Sequence, residues 1–264
     1  MKRLLPLILL AIIGGSLSGA TPDSAASIPQ RPEQLLPEET GTQSIKPLRL
    51  AICGAGVAGL TGFSISRMDD WWGEGSGPAK IKHTDWAGDG LVQTDEVSHA
   101  LVGYKITQAG TGLARWSGLS DGTSRAVGAG ISLTILTLVE YPIDTYNPIH
   151  GFGYTDMIAN ILGTGFAVAR DRWPKKLGFI DLRISVKDFG GVNSEVIAQN
   201  TKQYDNFIYW ITANPARRFP VHPALGYSAN HNDSLEIGER EIYLGFGTSA
   251  GEIISFFDEE LARR

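Results

Sequence analysis

Apolar positions along this chain fall into a few long blocks, and the spacing inside the blocks changes as the chain proceeds. The first block, Leu4 to Ile13, is broken only by Pro6 and sits behind the basic start Met1-Lys2-Arg3. Small residues follow from Gly14 to Ala20, with Ser18 and Ala20 at the −3 and −1 positions of a cleavage site. At about 1.5 Å per residue, such a run covers roughly half of a bilayer's hydrocarbon core. Residues 1–20 therefore read as a secretory signal peptide rather than a membrane span. Residues 21–46 are rich in Pro, Ser, Thr, Gln and Glu and hold almost no large apolar side chain, which predicts a flexible linker.

Small and apolar residues then predominate from Leu48 to about Trp72, predicting one helix in which small side chains let a neighbour pack closely. A second helix opens at Thr94, its expected N-cap, with Asp95 and Glu96 in the first turn. Ala126 to Val139 is an uncharged run leading into Glu140, Pro142 and Asp144, where Pro142 marks a helix that is ending. A further helix is capped by Thr155 and runs to Trp173, before Pro174. Val97, Leu101, Val139, Ile158 and Leu162 are the residues these helices are expected to turn toward a core. From about Leu177 the period becomes two, in Asp181 to Phe189 and again in Arg240 to Gly247, as in half-buried strands. Phe207 to Ile211 and Ala224 to Ala229 are shorter runs of the same kind. The expected fold is mainly α. A helical bundle core occupies residues 47–176, and a smaller C-terminal β or irregular layer, residues 177–264, packs on it.

Composition narrows the function classes. Hydrophobic residues make up 42% of the 264, enough for a core, and the formal charge is −5, or −7 once Lys2 and Arg3 leave with the leader. A nucleic-acid partner is not expected, because no basic footprint is present. The single Cys excludes an intrachain disulfide, and the scattered His residues give no zinc-finger spacing. His150, His222 and His231 sit beside turn formers and read as loop histidines.

Two patterns carry candidate chemistry. Gly54-Ala55-Gly56-Val57-Ala58-Gly59 matches the dinucleotide fingerprint, but the stretch after it, Met68 to Pro78, holds turn formers and no second strand. A helix is the better reading, and no cofactor is expected. The second pattern is a set of polar pairs four residues apart: Asp95 with His99, Glu140 with Asp144, and Asp156 with Asn160. Residues at that spacing share a helix face. They can converge as buried groups that satisfy one another and fix helix register. They can also converge as an acid–base cluster or a metal site. A metal is the weaker of these, since no second His follows a recognised ligand spacing, and none is expected.

At these residues the chain resembles the YfiM-like predicted periplasmic lipoproteins of unknown function, whose core pattern is shared with VanZ-like membrane proteins. Asp95, His99 and Tyr104 match the family's Asp-His-Tyr order, and Glu140 with Asp144 resembles its acidic pair after an apolar helix. Gly151-Phe152-Gly153-Tyr154-Thr155-Asp156 through Asn160 and Gly163 is similar to its glycine-rich element. His83-Thr84-Asp85-Trp86, Tyr204 to Trp210 with Pro215, and Leu225-Gly226-Tyr227 resemble the flanks of longer members, so the likeness spans roughly residues 47–250. Position 21 is Thr where a lipoprotein needs Cys, and Cys53 lies far past the cleavage site, so no lipid anchor is expected.

The expected protein is thus exported across the inner membrane, periplasmic or associated with the outer envelope, and structural or binding in function. Its implied partner is an envelope membrane surface or lipid. The alternative is a hydrolase or transferase acting on an envelope lipid or cell-wall precursor through Asp95, His99, Glu140, Asp144, Asp156 and Asn160. A flavin or nicotinamide oxidoreductase using Gly54, Gly56 and Gly59 is a further alternative. The export reading has a direct check: N-terminal sequencing of protein from the envelope fraction should begin at Thr21, and a retained Met1 would overturn it.

Overall fold

Helices can touch backbone to backbone only where a side chain is missing, and three such contacts organise this chain. The computed structural model describes residues 44–66, 77–83, 86, 90–148, 150–187, 204–214, 220–230, 238–248, 252–253 and 256–257, with 60 and 63–65 described in the backbone alone. Helix α1 spans Pro47–Ser66, α2 Thr94–Trp116, α3 Asp121–Leu138, α4 Tyr154–Arg172 and the single turn α5 Pro174–Leu177. Strands β1 Ile180–Val186, β2 Phe207–Ala213, β3 His222–Asn230 and β4 Glu239–Gly247 form one antiparallel sheet in sequential order. The described chain is mainly helical with a C-terminal four-stranded sheet.

Helix α2 lies against both α3 and α4. A β-carbon at Gly163 of α4 would come within 2.6 Å of the Ala100 carbonyl carbon on α2. One at Gly110 would lie 2.9 Å from Gly128 Cα on α3, and one at Gly128 would lie 2.6 Å from the Thr107 carbonyl oxygen. Gly103 meets Leu136 and Thr164 at once. These pairings make α2 and α4 parallel and α3 antiparallel to both. Hydroxyls close the three-way junction. Ser132 Oγ donates to the Gly103 carbonyl (3.0 Å) and lies 3.0 Å from Thr164 Oγ1, so Thr164 donates to Ser132. Thr107 Oγ1 donates to the same Gly103 carbonyl (2.7 Å).

The helices bury their small and polar residues. On α3 the buried positions are Ser124, Gly128, Ser132 and Leu136, one ridge at four-residue spacing. On α4 they are Thr155, Asp156, Ala159, Asn160, Gly163, Thr164 and Ala167. Ile158 and Leu162, expected in the core, are instead 52% and 65% exposed. The glycine contact and the polar groups that need partners set the inward face of α4, and its branched apolar residues are left outside. Leu101 is buried as expected, while Val97 and Val139 are half-buried.

Other local expectations are corrected too. Thr94 is not an N-cap but the first helical residue: Gln93 precedes it in the left-handed region (φ 68°), and Thr94 Oγ1 donates back to the Leu91 carbonyl (2.7 Å). Thr155 sits one residue inside α4, after the N-cap Gly153, and its hydroxyl donates to Glu96 Oε1 (2.9 Å). Past Leu138 a π-helical stretch runs from Val139 to Asp144, but Tyr141 is extended (φ −141°, ψ 118°) before Pro142. Glu140 and Asp144 therefore do not share one helix face. Gly54, Gly56 and Gly59 lie inside α1, not at a strand-to-helix turn, and no atom of a neighbour stands within 4 Å of a β-carbon built on them. The close packing expected of these glycines is absent among the described residues. The expected end of that helix at Trp72 lies outside the described residues, as do residues 1–43.

The sheet docks on α2 through charge. Tyr104 Oη donates to Asp181 Oδ1 (2.6 Å) and accepts from Gln108 Nε2 (2.9 Å), and the Arg170 guanidinium donates to the Ile180 carbonyl (2.5 Å). Burial pushes the Asp181 carboxyl up, but Lys105, Arg170, the Tyr104 hydroxyl and Arg183 outweigh it and hold the carboxyl below its ordinary value. His222, expected in a loop, is buried in β3, with Nδ1 3.7 Å from Glu252. Pro220 and Pro223 stand on either side of His222, but β3 begins at His222 and pairs it with Gly247 of β4, which takes the imidazole inside. His150 is a loop residue as expected; His231 lies outside the described residues.

Two glycine substitutions test the packing. Gly163→Ala should destabilise the protein by about 1–3 kcal/mol through overpacking against the α2 backbone. Gly56→Ala should be neutral or stabilising by up to about 1 kcal/mol, from helix propensity. Urea unfolding midpoints separate the two, and an equal effect of both would refute the contact.

Candidate functional site

Because α2 and α4 are parallel and α3 is antiparallel, the starts of α2 and α4 and the end of α3 meet at one end of the helices. The Gly163–Ala100 contact brings the neighbouring residues within reach of one another. His99 Nδ1 lies 2.9 Å from Asn160 Oδ1. An amide oxygen only accepts, so Nδ1 carries the proton and Nε2 faces the other way, 3.5 Å from Asp95 Oδ1. On the Nδ1 side Glu140 Oε1 stands 3.6 Å away. The Glu140 carboxylate is 1% exposed, and Oε2 accepts from the Gly153 N–H (3.2 Å). Oε1 accepts no hydrogen bond among the described residues.

The sequence pairs are thus brought together, apart from the far half of one. Asp95, His99, Glu140, Asp156 and Asn160 form one semi-buried cluster. Asp144 follows the break at Tyr141 and acts on it through its charge, felt by both His99 and Glu140. Tyr104 points to the sheet instead.

Two members come from segments whose polar pattern gives no sign of them. Lys82 Nζ lies 3.6 Å from Asp95 Oδ2 and 4.0 Å from Asp156 Oδ2. It is held there by a short parallel bridge: the Phe152 N–H donates to the Lys80 carbonyl (2.9 Å) and the Lys82 N–H to the Phe152 carbonyl (3.0 Å). Gly151, at φ 118°, makes the turn that permits this bridge. Tyr204 Oη donates to Asp95 Oδ1 (2.6 Å) from just before β2. The signal for Lys82 was the glycine-rich element at 151–153, since a left-handed turn leading into a helix announces that another backbone approaches.

Excess negative charge governs protonation here. Burial pulls the His99 imidazole down, but Asp95, Glu140, the Asn160 hydrogen bond and Asp144 together raise it above its ordinary value. Burial raises the Glu140 carboxyl, Asp156 and Asp144 add to the rise, and His99 with the Gly153 N–H opposes it; the result is about 8. Glu140 is therefore a neutral acid at pH 7 beside an imidazole whose tautomer is fixed, a pairing able to hold and pass a proton. Burial also lowers His150, with Lys82 and Lys80 acting in the same sense against Asp95.

On the outer side of the same loop a mostly apolar pocket of about 760 Å³ is lined by Lys80, Ile81, His83, Tyr141, Thr145 and Phe152 among others. Thr145 Oγ1 donates to the Glu140 carbonyl (2.6 Å), so pocket wall and cluster share the 140–145 segment.

No family model, curated protein or solved structure matches the chain.

Double-mutant analysis tests the cluster as a unit. Asp95→Ala and Tyr204→Phe should each destabilise by about 1–3 kcal/mol, because each strands a partner. Together they should cost less than the sum, with a coupling of about 0.5–3 kcal/mol measured by urea unfolding. Strict additivity would count against the contact.

Proposed function

We propose that this chain is an exported cell-envelope protein of the structural or binding type, whose helices form a three-helix bundle seated on the envelope membrane. The outward apolar face of α3 and α4 carries this reading. In water, burying an exposed Leu or Ile is worth about 1.5–3 kcal/mol, yet here Ile158, Ile161 and Leu162 face outward while Ser, Thr, Asn and Gly fill the inside. Polar, small-residue interfaces with apolar exteriors are how helices pack in lipid.

The segment Asp121–Asp144 is long and apolar enough to cross a bilayer by composition, and only 22% of its most apolar window is buried. That argues against its being the core helix of a water-soluble bundle. Residues 126–139 of the α3 segment and 157–169 of α4 carry no charge, about 20 Å of helix in each. This is short of the ~30 Å core, which favours seating in the interface over a full crossing. The helix ends support the same placement. Trp116 and Trp173 lie exposed at one end, with Arg172, Lys175 and Lys176 exposed beside them, while Tyr141, Tyr146 and Tyr154 lie exposed at the other. Aromatic rings and flanking cations are the usual anchors at headgroup level. The resemblance to the YfiM-like and VanZ-like pattern at Asp95, His99, Glu140 and Asp156 points the same way.

A second reading has its own observation: His99, 15% exposed at the side chain, lies between Asp95 and Glu140, and the segment that carries Glu140 also lines a pocket through Tyr141 and Thr145. A hydrolase or transferase on an envelope lipid or cell-wall precursor would use Asp95 and His99 to handle a proton, with Asp144 or Asp156 as base and the protonated Glu140 as acid. In that case His99→Ala removes turnover of such a substrate while the fold persists.

Flotation on lipid vesicles tests the first reading. The mature protein should float with phosphatidylglycerol vesicles and less with phosphatidylcholine ones. Ile161→Glu with Leu162→Glu should abolish flotation without changing helicity by circular dichroism, since both side chains already face outward. Wild-type protein that stays at the bottom of the gradient with every vesicle would overturn the proposal.

A further inference from the structure

Asp95, His99 and Asp156 each turn one ligand atom to within 4.8 Å of the others, and we propose that they hold a divalent transition-metal ion, zinc being the best match. An imidazole with two carboxylates is a nitrogen–oxygen donor set. The imidazole speaks against magnesium or calcium, and the lack of a thiolate in the set speaks against cuprous ion. A tetrahedral zinc site with bonds of about 2.1 Å places its ligand atoms about 3.4 Å apart. His99 Nε2 and Asp95 Oδ1 are 3.5 Å apart, and an Asp156 oxygen lies within 4.8 Å of the ligand atoms of both.

The surroundings have the form of a ligand's supporting shell. A metal-binding histidine donates its second ring N–H to an oxygen acceptor, which fixes the tautomer and aims the other nitrogen. Asn160 Oδ1 accepts from His99 Nδ1 in this way, and Asn160 is fully buried. Independently, Glu140 is buried with Oε1 turned to the His99 ring and accepting no hydrogen bond among the described residues. Lys82 reaches both ligand carboxylates at distances longer than a direct hydrogen bond, so the position already accommodates a cation, with which a metal ion would compete. Three protein ligands leave coordination to water or a substrate oxygen, the pattern of open rather than closed zinc sites. The ligands come from two helices at spacings no sequence motif contains. The site stands or falls independently of membrane association.

Zinc binding to the full-length mature chain, stripped with chelator and measured by competition with a chromogenic chelator, tests the proposal. One zinc ion per chain is expected, and cobalt in its place should give the visible bands of a low-coordinate site. His99→Ala and Asp156→Asn should remove binding, while His222→Ala should keep it. Asn160→Ala, which removes only the positioning contact, should weaken binding by about 10–100-fold. Lys82→Met lies at the rim and removes the competing ammonium, so it should tighten binding even if a core variant fails to fold. Wild type that binds no more zinc than His99→Ala, or Lys82→Met that binds no more tightly than wild type, would overturn the site.

Discussion

The contact between Gly163 and the backbone at Ala100 is the constraint on which the rest depends. A β-carbon at 163 would force α4 away from α2, because the atom it meets is backbone and cannot swing aside. His99 adjoins Ala100, and Asn160 lies one turn before Gly163, so the axis separation set by the glycine is also the separation at which an imidazole reaches an amide. Gly110 with Gly128 does the same for α2 and α3, and places the end of α3 where Glu140 can face His99. Packing and site geometry are therefore one problem in this protein.

Close backbone approach excludes large side chains from the interface, and this sets the energetics. The junction at Gly103, Ser132 and Thr164 gains hydrogen bonds worth about 0.5–1.5 kcal/mol each net, plus dispersion between backbones. It gains little from hydrophobic burial, because Ile158, Ile161 and Leu162 are elsewhere. On the proposed reading the bilayer supplies that missing burial. The same residues that contribute nothing to the interior then become the means of attachment.

Much of the helical plan was legible in the chain. The polar pairs, the strand periodicities after Leu177, and the stop at Trp173 and Pro174 each rest on local chemistry that sequence displays directly. What stayed hidden was whatever depends on a neighbour. Ile158 and Leu162 look like core residues by hydropathy, and only the glycine contact decides that they are not. Thr94 and Thr155 look like caps, but both lie inside their helices, with hydroxyls turned to Leu91 and Glu96. His222 looks like a loop residue because Pro220 and Pro223 stand on either side of it, and the pairing of β3 with β4 takes it inside. Tyr204 could not be assigned to the cluster because its partner Asp95 lies 109 residues away, and Lys82 because its approach depends on the backbone bridge to Phe152.

The placement of Lys82 shows how the cluster tolerates its own charge. Several carboxyl groups converge on one imidazole in a region where unpaired charge is costly. The chain meets this in three ways, each from a different element. Glu140, at the end of α3, keeps its proton to about pH 8. Lys82, carried in by the bridge to Phe152, sets an ammonium between Asp95 and Asp156. Tyr204, from the segment just before β2, gives Asp95 a hydroxyl. The bridge and the segment before β2 are thus more than cover for the helices. Without the first, two carboxylates on parallel helices would repel across the contact that Gly163 holds shut, and without the second Asp95 would lose its shortest hydrogen bond. The peripheral segments are part of what allows α2 and α4 to stay close enough for His99 and Asn160 to meet.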